Sequence, residues 1–196
     1  MSGLFDLPDQ SERKPEMSKK VLVICSSPRK GGNSEILADE LAKGAREAGH
    51  QVKKVVLYDK TIGFCRGCLA CQKTQRCVIK DDANLIVEKM LTSEVLVFAT
   101  PIYFFEMCGQ MKTMLDRSNP LYPSDYSFRD VYLVAAAAEH EESAMDGAIK
   151  GLEGWIACFT QTRLAGVVRG LGVVDSGSIN DLPAIKQVAY EMGAKI

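Results

Sequence analysis

The sequence predicts an α/β fold: a three-layer sandwich around a five-stranded parallel sheet in the doubly wound order 2-1-3-4-5. Two observations carry this. Five short apolar runs alternate with five segments of helical period, as right-handed strand–helix–strand crossovers require. The first run also breaks into a dense turn cluster, at the point where a doubly wound sheet opens its crevice.

Taken in order, residues 1–18 are polar, contain Pro8 and Pro15 and show no period, so they read as a flexible N-terminal arm. The domain spans 19–196. Val21-Leu22-Val23-Ile24-Cys25 is an unbroken apolar run, the mark of a strand buried on both faces. Leu37, Leu41, Ala45 and Ala48 then share one helix face, with Gly49 placed to end the helix. Residues 52–57 form the second strand, and 58–80 a cysteine-rich loop. Asp81 or Asp82 caps a helix reaching about Leu91. Val95-Leu96-Val97-Phe98-Ala99 is the third strand, and Met107, Met111, Met114 and Leu115 mark the helix after it. Val131-Tyr132-Leu133-Val134-Ala135 is the fourth strand. Met145, Ala148, Leu152, Trp155 and Phe159 keep helical spacing despite three intervening glycines. A fifth strand lies within 164–174, and a helix over 182–193 closes the chain.

Composition excludes several classes. The formal net charge is −1 and charged residues are 25%, which is not the basic footprint of a nucleic-acid binder. No apolar run is long enough to span a membrane, and residues 1–20 lack the apolar core of a secretory leader. Seven cysteines, an odd number with four crowded into 65–77, argue against a secreted disulfide framework and for a reducing cytoplasm.

In a sheet of this order, ligands sit outside the carboxyl ends of the strands, beside strands 1 and 3. That rule selects residues 26–34, 100–106 and 136–142. Ser26-Ser27-Pro28-Arg29-Lys30-Gly31-Gly32-Asn33-Ser34 is small and hydroxylated apart from its basic residues. Such a loop turns N–H groups toward an anion at a helix N-terminus, Arg29 adds charge-assisted bonds, and Asn33 and Ser34 suit the cap. The magnesium–ATP loop and the Gly-x-Gly-x-x-Gly dinucleotide fingerprint are both absent. In the second segment Pro101 stiffens a turn, while Tyr103, Phe104 and Phe105 offer faces to a flat ring. In the third, Ala136-Ala137-Ala138-Glu139-His140 lets backbone approach closely. His140 is a candidate proton donor or a solvated loop histidine, and His50 reads as a surface residue. Asp116-Arg117 reads as a buried structural ion pair.

The loop resembles the Gly-Ser-Pro-Arg-x-x-Gly-Asn-Thr/Ser loop of the NADPH-dependent FMN reductase family, with Ser26 in place of the usual glycine. Thr100-Pro101-Ile102-Tyr103 is similar to that family's Ser/Thr-Pro-x-Tyr segment, and the resemblance covers about residues 20–195. It implies a flavodoxin-like fold that binds FMN through Ser27, Arg29, Gly32, Asn33 and Ser34. The ring would lie along Thr100, Pro101, Ile102, Tyr103 and Phe104, with Ala138 and Glu139 as a third wall. The family's glycine-rich turn is missing at that third wall.

Cys65, Cys68, Cys71 and Cys77 form C-x2-C-x2-C-x5-C, and bacterial ferredoxins open their ligand runs in the same way. Basic Arg66, Lys73 and Arg76 would offset a cluster's negative charge. The run also resembles the compact motif of iron-sulfur flavoproteins, relatives of the FMN reductases. That resemblance implies dimers with FMN and a four-iron four-sulfur cluster in each subunit, ligated by these four cysteines. A zinc site and a metal-free thiol loop stay open beside it. Cys25, Cys108 and Cys158 read as core packing.

The expected function is an FMN-dependent oxidoreductase. NAD(P)H would stack over the exposed ring and leave before a small-molecule acceptor binds, which gives ping-pong kinetics. The alternative is a non-enzymatic electron carrier working with ferredoxin-type partners, and a weaker one a redox sensor. A ring at the strand ends needs a cover, so a homodimer or homotetramer is expected, with the arm as another source of cover.

Overall fold

The structure is a computed structural model and describes residues 18–196; the expected arm lies outside the described residues except for Ser18. Five strands form the parallel sheet: β1 (Lys20–Cys25), β2 (Gln51–Val56), β3 (Val95–Tyr103), β5 (Asp130–Ala136) and β6 (Arg163–Gly170). Their order is β2-β1-β3-β5-β6, the doubly wound order expected. The number left out belongs to β4 (Glu106–Met107), a two-residue strand that folds back antiparallel on β3.

The helices are α1 (Asn33–Glu47), the single turn α2 (Cys71–Thr74), α3 (Asp82–Leu91), α4 (Gly109–Arg117), α5 (Asp146–Ile156) and α6 (Pro183–Gly193). Alternation along the central strands builds two cores. Leu22, Ile24, Leu96, Phe98, Val131 and Leu133 pack under α3, α4 and α5. Val21, Val23, Val95, Val97, Tyr132 and Val134 pack under α1 and α6. Both faces are therefore buried, which explains why these strands read as unbroken apolar runs. Edge strand β2 is exposed at alternate positions. The α1 and α6 backbones touch: a Cβ on Gly193 would stand 1.9 Å from the Leu41 carbonyl oxygen.

Four expectations are corrected. The third strand does not turn at Pro101 but runs on to Tyr103, with Pro101 opposite Ala136. The β1–β3 ladder ends at Cys25 and Ala99, so Pro101 needs no N–H on that side. Met107 lies in β4 rather than on the following helix, which Cys108 precedes as N-cap. His50 is buried, because the turn after α1 folds its Nδ1 under the Lys19 N–H at 3.2 Å. Cys158 is exposed, because α5 has ended and its thiol only reaches back to the Gly154 carbonyl.

Candidate functional site

The loop between β1 and α1 is held by its own short bonds. The Ser27 hydroxyl accepts from the Arg29 N–H at 3.2 Å and donates to the Arg29 carbonyl at 2.9 Å. Gly32 N–H donates to the same carbonyl. A Cβ on Gly32 would stand 2.4 Å from Ser27 Oγ, so only glycine fits there without moving the loop. Gly32, not Asn33 or Ser34, is the N-cap of α1, and it makes no side-chain cap bond.

Asn33 is instead committed sideways. Its amide donates to the Asp175 carbonyl at 2.9 Å, and its oxygen accepts from the Ile179 N–H at 3.2 Å. The Arg29 guanidinium donates to the Val174 carbonyl at 3.1 Å, and Ser176 Oγ to the Gly31 carbonyl at 3.2 Å. These bonds strap the segment after β6 onto the loop after β1. Residues 173–179 were missed by sequence reasoning. Their one signal was position, since they too lie beyond a strand's carboxyl end.

The loops enclose a cavity of about 190 Å³ at the switch point. Every expected FMN-contact residue lines it except Thr100, Phe104 and Glu139; Ala136, Val173, Val174 and Ser176 are added. Thr100 is fully buried and turned inward, its hydroxyl accepting from the Cys108 N–H at 3.1 Å. Cys108 Sγ in turn lies 3.1 Å from Ser26 Oγ, which donates to the Ala99 carbonyl at 3.0 Å. Ser26, the residue that departs from the family pattern, thus joins a buried polar knot under the cavity floor. Next to it, burial pushes the Cys25 thiol up to about 12, with Lys54 partly opposing. That thiol stays protonated and packs. Glu139 and His140 are exposed.

Phe104 and Phe105 form the turn between β3 and β4, both with left-handed φ (51° and 63°). A two-residue hairpin turn of this hand normally takes asparagine and glycine. Both rings face solvent, Phe104 fully. Helix α5 holds the turn: a Cβ on Gly147 would stand 2.3 Å from the Phe105 carbonyl oxygen, and one on Gly151 would meet the Met107 methyl and the Glu106 carboxylate. Two of the three glycines in the helix pattern therefore admit this hairpin.

The cysteine loop is tied at its neck. Arg117 on α4 is fully buried and grips Asp81 with both Nη atoms, at 2.6 and 2.8 Å. It also donates to the carbonyls of Gly63 and Ile79, while Asp81 accepts from the Gly63 N–H and caps α3 through the Ala83 N–H. The expected Asp116–Arg117 pair is corrected: consecutive helix residues point apart, and Asp116 pairs with Lys112 at 2.7 Å on the exposed side. Burial pulls the Asp81 carboxyl up, but hydrogen bonds from Arg117 and two backbone N–H groups outweigh it and hold it below the ordinary carboxylate range.

Within the loop, Cys65 and Cys68 are exposed, Cys77 half-buried and Cys71 buried. Gly67, at φ 62°, donates its N–H to Cys65 Sγ at 3.4 Å. Burial, then the neighbouring thiols of Cys77, Cys65 and Cys68, raise the Cys71 thiol. Among the described residues no group of three or more His, Cys, Asp or Glu side chains lies close enough to hold a metal ion. The donor set nonetheless matches one in kind: four thiols in one short loop are the ligand type that soft cations take, and the raised Cys71 thiol is what a bound cation would relieve. Arg66, Lys73 and Arg76 all face solvent.

Comparison with known proteins agrees with this architecture. The family model for NADPH-dependent FMN reductase matches residues 19–167. An iron-sulfur flavoprotein of Methanocaldococcus jannaschii is 35% identical over 102 residues, covering 52% of this chain and 53% of that one. The chain thus spans about half the length of that relative. The provisionally named NAD(P)H-dependent FMN-containing oxidoreductase YwqN of Bacillus subtilis is 31% identical over 141 residues, covering 68% and 71%. The fold is shared with an NAD(P)H:quinone oxidoreductase from Methanothermobacter marburgensis, at TM-score 0.67 and 16% identity over 91% of this chain and 97% of that one. The β1–α1 loop, the sheet order and the family match converge, and the chain belongs to the NADPH-dependent FMN reductase family.

Proposed function

We propose that the chain is an FMN-dependent oxidoreductase that takes electrons from NAD(P)H and passes them to a small-molecule acceptor. In this reading a four-iron four-sulfur cluster on Cys65, Cys68, Cys71 and Cys77 is the one-electron partner. The observation that carries it is the cavity at the switch point, gathering the loop after β1 and the apolar end of β3 in a chain of this family. The names of the iron-sulfur flavoprotein relatives support the cluster.

Ser27, Gly32 and Ser34 would present loop N–H and hydroxyl groups to the FMN phosphate at the α1 N-terminus. Arg29 and Asn33 would serve it from the strapped side. Pro101, Ile102, Tyr103 and Ala138 would line the ring, with Phe104 at the rim. Thr100 would act from beneath, through the knot with Cys108, and Glu139 would face the mouth from solvent. When bound, FMN supplies acceptance of a hydride and release of single electrons. Tyr103, Phe104, Phe105 and Val174 leave apolar surface exposed around the mouth. A second copy in a homodimer or homotetramer is the reading that covers it.

No helix among the described residues is long and apolar enough to cross a membrane, and all seven cysteines are free thiols. Those thiols support a place in the cytoplasm.

The test is one anaerobic ultraviolet–visible spectrum with flavin, iron and sulfide analysis, followed by steady-state NAD(P)H oxidation with a quinone acceptor. The expected result is FMN bound per chain, cluster absorption and turnover with ping-pong kinetics. A protein that binds no FMN refutes the proposal. One that binds FMN but turns over only with a partner reductase is a carrier, not this enzyme.

A further inference from the structure

We infer that Glu35 is the positioning residue of the loop after β1: its carboxylate fixes the Gly31 N–H from behind the cavity, and the Lys54 ammonium offsets the charge that would otherwise repel a phosphate. The inference rests on the reading of residues 26–34 as the FMN phosphate cradle.

Glu35 is 6% exposed, and it stands outside the cavity that Ser27, Arg29, Gly32, Asn33 and Ser34 line. Its two oxygens have separate partners. Oε2 accepts from the Gly31 N–H at 2.9 Å, and Oε1 pairs with Lys54 Nζ at 2.9 Å. Lys54 stands on β2 and also binds Asp39, one turn further along α1, at 2.7 and 2.9 Å. One ammonium thus ties strand, helix and loop together. Gly31 has a left-handed φ of 66°, and its carbonyl accepts from Ser176 Oγ at 3.2 Å. Both peptide groups that flank its Cα are therefore held.

Local geometry explains the contact. Counting from the N-cap Gly32, Glu35 is the third residue of α1, from which a glutamate reaches back over the helix start. The Gly32 N–H is already taken by the Arg29 carbonyl, so the carboxylate takes the N–H one residue earlier. A buried carboxylate beside an anion site is unfavourable by itself, because like charges disfavour one another. Two things reverse that here. The hydrogen bond fixes a loop whose backbone must be placed before the anion arrives. Lys54 meets the charge, so a phosphate would encounter Arg29 and the α1 N-terminus rather than a bare carboxylate.

The test compares FMN with riboflavin in fluorescence titrations of the full chain. Riboflavin has the ring and ribityl chain without the phosphate. A change confined to FMN reports the phosphate loop, and a change in both reports the fold. Glu35→Ala is expected to bind FMN about 10- to 100-fold more weakly and riboflavin as wild type does. Glu35→Gln keeps an acceptor for the Gly31 N–H and should recover most of that loss. Lys54→Met leaves the carboxylate without its counter-charge and should weaken FMN binding. Adding Glu35→Gln should reverse that loss, a coupling read in FMN affinity and not in riboflavin affinity. A Glu35→Ala protein that binds FMN as wild type does, or loses both flavins equally, overturns the inference and leaves the FMN reading standing. A wild type that binds no FMN overturns both. Should Glu35→Ala fail to fold, the Lys54 variants decide: a loss for FMN alone that Glu35→Gln reverses supports the inference, and any other result overturns it.

Discussion

The β1–α1 loop and the cysteine loop leave the same sheet from adjacent strands, β1 and β2, yet they are held in different ways. The first is braced along its length: Ser27 knots it internally, Gly32 admits no side chain, and Arg29, Asn33 and Ser176 strap it to the segment after β6. The second is gripped mainly at its neck. Between Gly63 and Ile79 it has one helical turn and mostly exposed side chains, and its ends are held by the buried pair Arg117–Asp81 and by the Asn84 amide, which donates to the Cys77 and Ile79 carbonyls. A loop that binds an anion through backbone N–H groups must have its backbone placed in advance. On the proposed reading the second loop would bind metal through four side chains, which calls for fixed ends and slack between them, because ligation itself supplies the remaining order.

The largest expected effect breaks the grip. Asp81→Ala leaves the Arg117 guanidinium buried without its counter-charge and removes the α3 cap. It should destabilise the protein by about 3–5 kcal/mol, read by urea unfolding. The comparison requires that flavin binding measured under folding conditions survive. Wild type carries a matching acid signature. The Asp81 carboxyl is held below its ordinary range in the folded state, so its contribution is full above the unfolded value of about 3.9. It is lost as pH falls through the lower folded value. An unfolding series below about pH 4 should show that loss in wild type and not in Asp81→Ala. Equal acid sensitivity in both would take Asp81 out of the account.

The counterpart in the cradle is Gly32→Ala. Its Cβ would meet Ser27 Oγ at 2.4 Å, and Ser27 cannot swing aside without losing both bonds to Arg29. Forcing the loop open costs about 1–3 kcal/mol, expected as about 5- to 140-fold weaker FMN binding in a fluorescence titration. Iron retention in the cysteine loop should not change. Unchanged FMN affinity would mean that the loop is not the rigid cradle described.

What the sequence disclosed divides along the same line. Apolar runs, the turn cluster 26–34 and an aspartate cap at 81 or 82 are local patterns, and each is realised, with the third strand running on to Tyr103 and the α1 cap falling on Gly32. Arg29 and Asn33 were legible as polar groups at the right strand end, but their straps to Val174, Asp175 and Ile179 join segments about 145 residues apart. Nothing near either segment announces them. Arg117 was legible as charged and buried. Its partner was not, because adjacency suggested Asp116 while helix geometry sends Asp116 to solvent and Arg117 inward to Asp81. The glycines of α5 looked like flaws in a helix until β4 occupied the space they leave.

The smallest effect concerns backbone strain, which the cysteine loop and the cavity mouth carry and the β1–α1 loop does not. Of the non-glycine residues with left-handed φ among the described residues, Leu69 and Gln75 lie in the cysteine loop and Phe104 and Phe105 at the cavity mouth. A left-handed L-residue with a bulky side chain costs about 1–2 kcal/mol. Gln75, which ends α2 at φ 55°, stands where helices commonly place glycine. Gln75→Gly should therefore stabilise by up to about 1 kcal/mol with flavin and iron content unchanged. Phe104→Asn with Phe105→Gly should stabilise by a similar or larger amount, about 1–2 kcal/mol, since asparagine and glycine suit this turn. Here the gain should come with a loss: the exposed rings beside Tyr103 would be gone, and turnover with an aromatic acceptor should fall while FMN stays bound. Strain retained at a functional edge has that signature, stability rising as activity falls. Were both exchanges to stabilise without touching turnover, the two aromatic residues would be a tolerated turn, and the mouth of the cavity would begin at Tyr103.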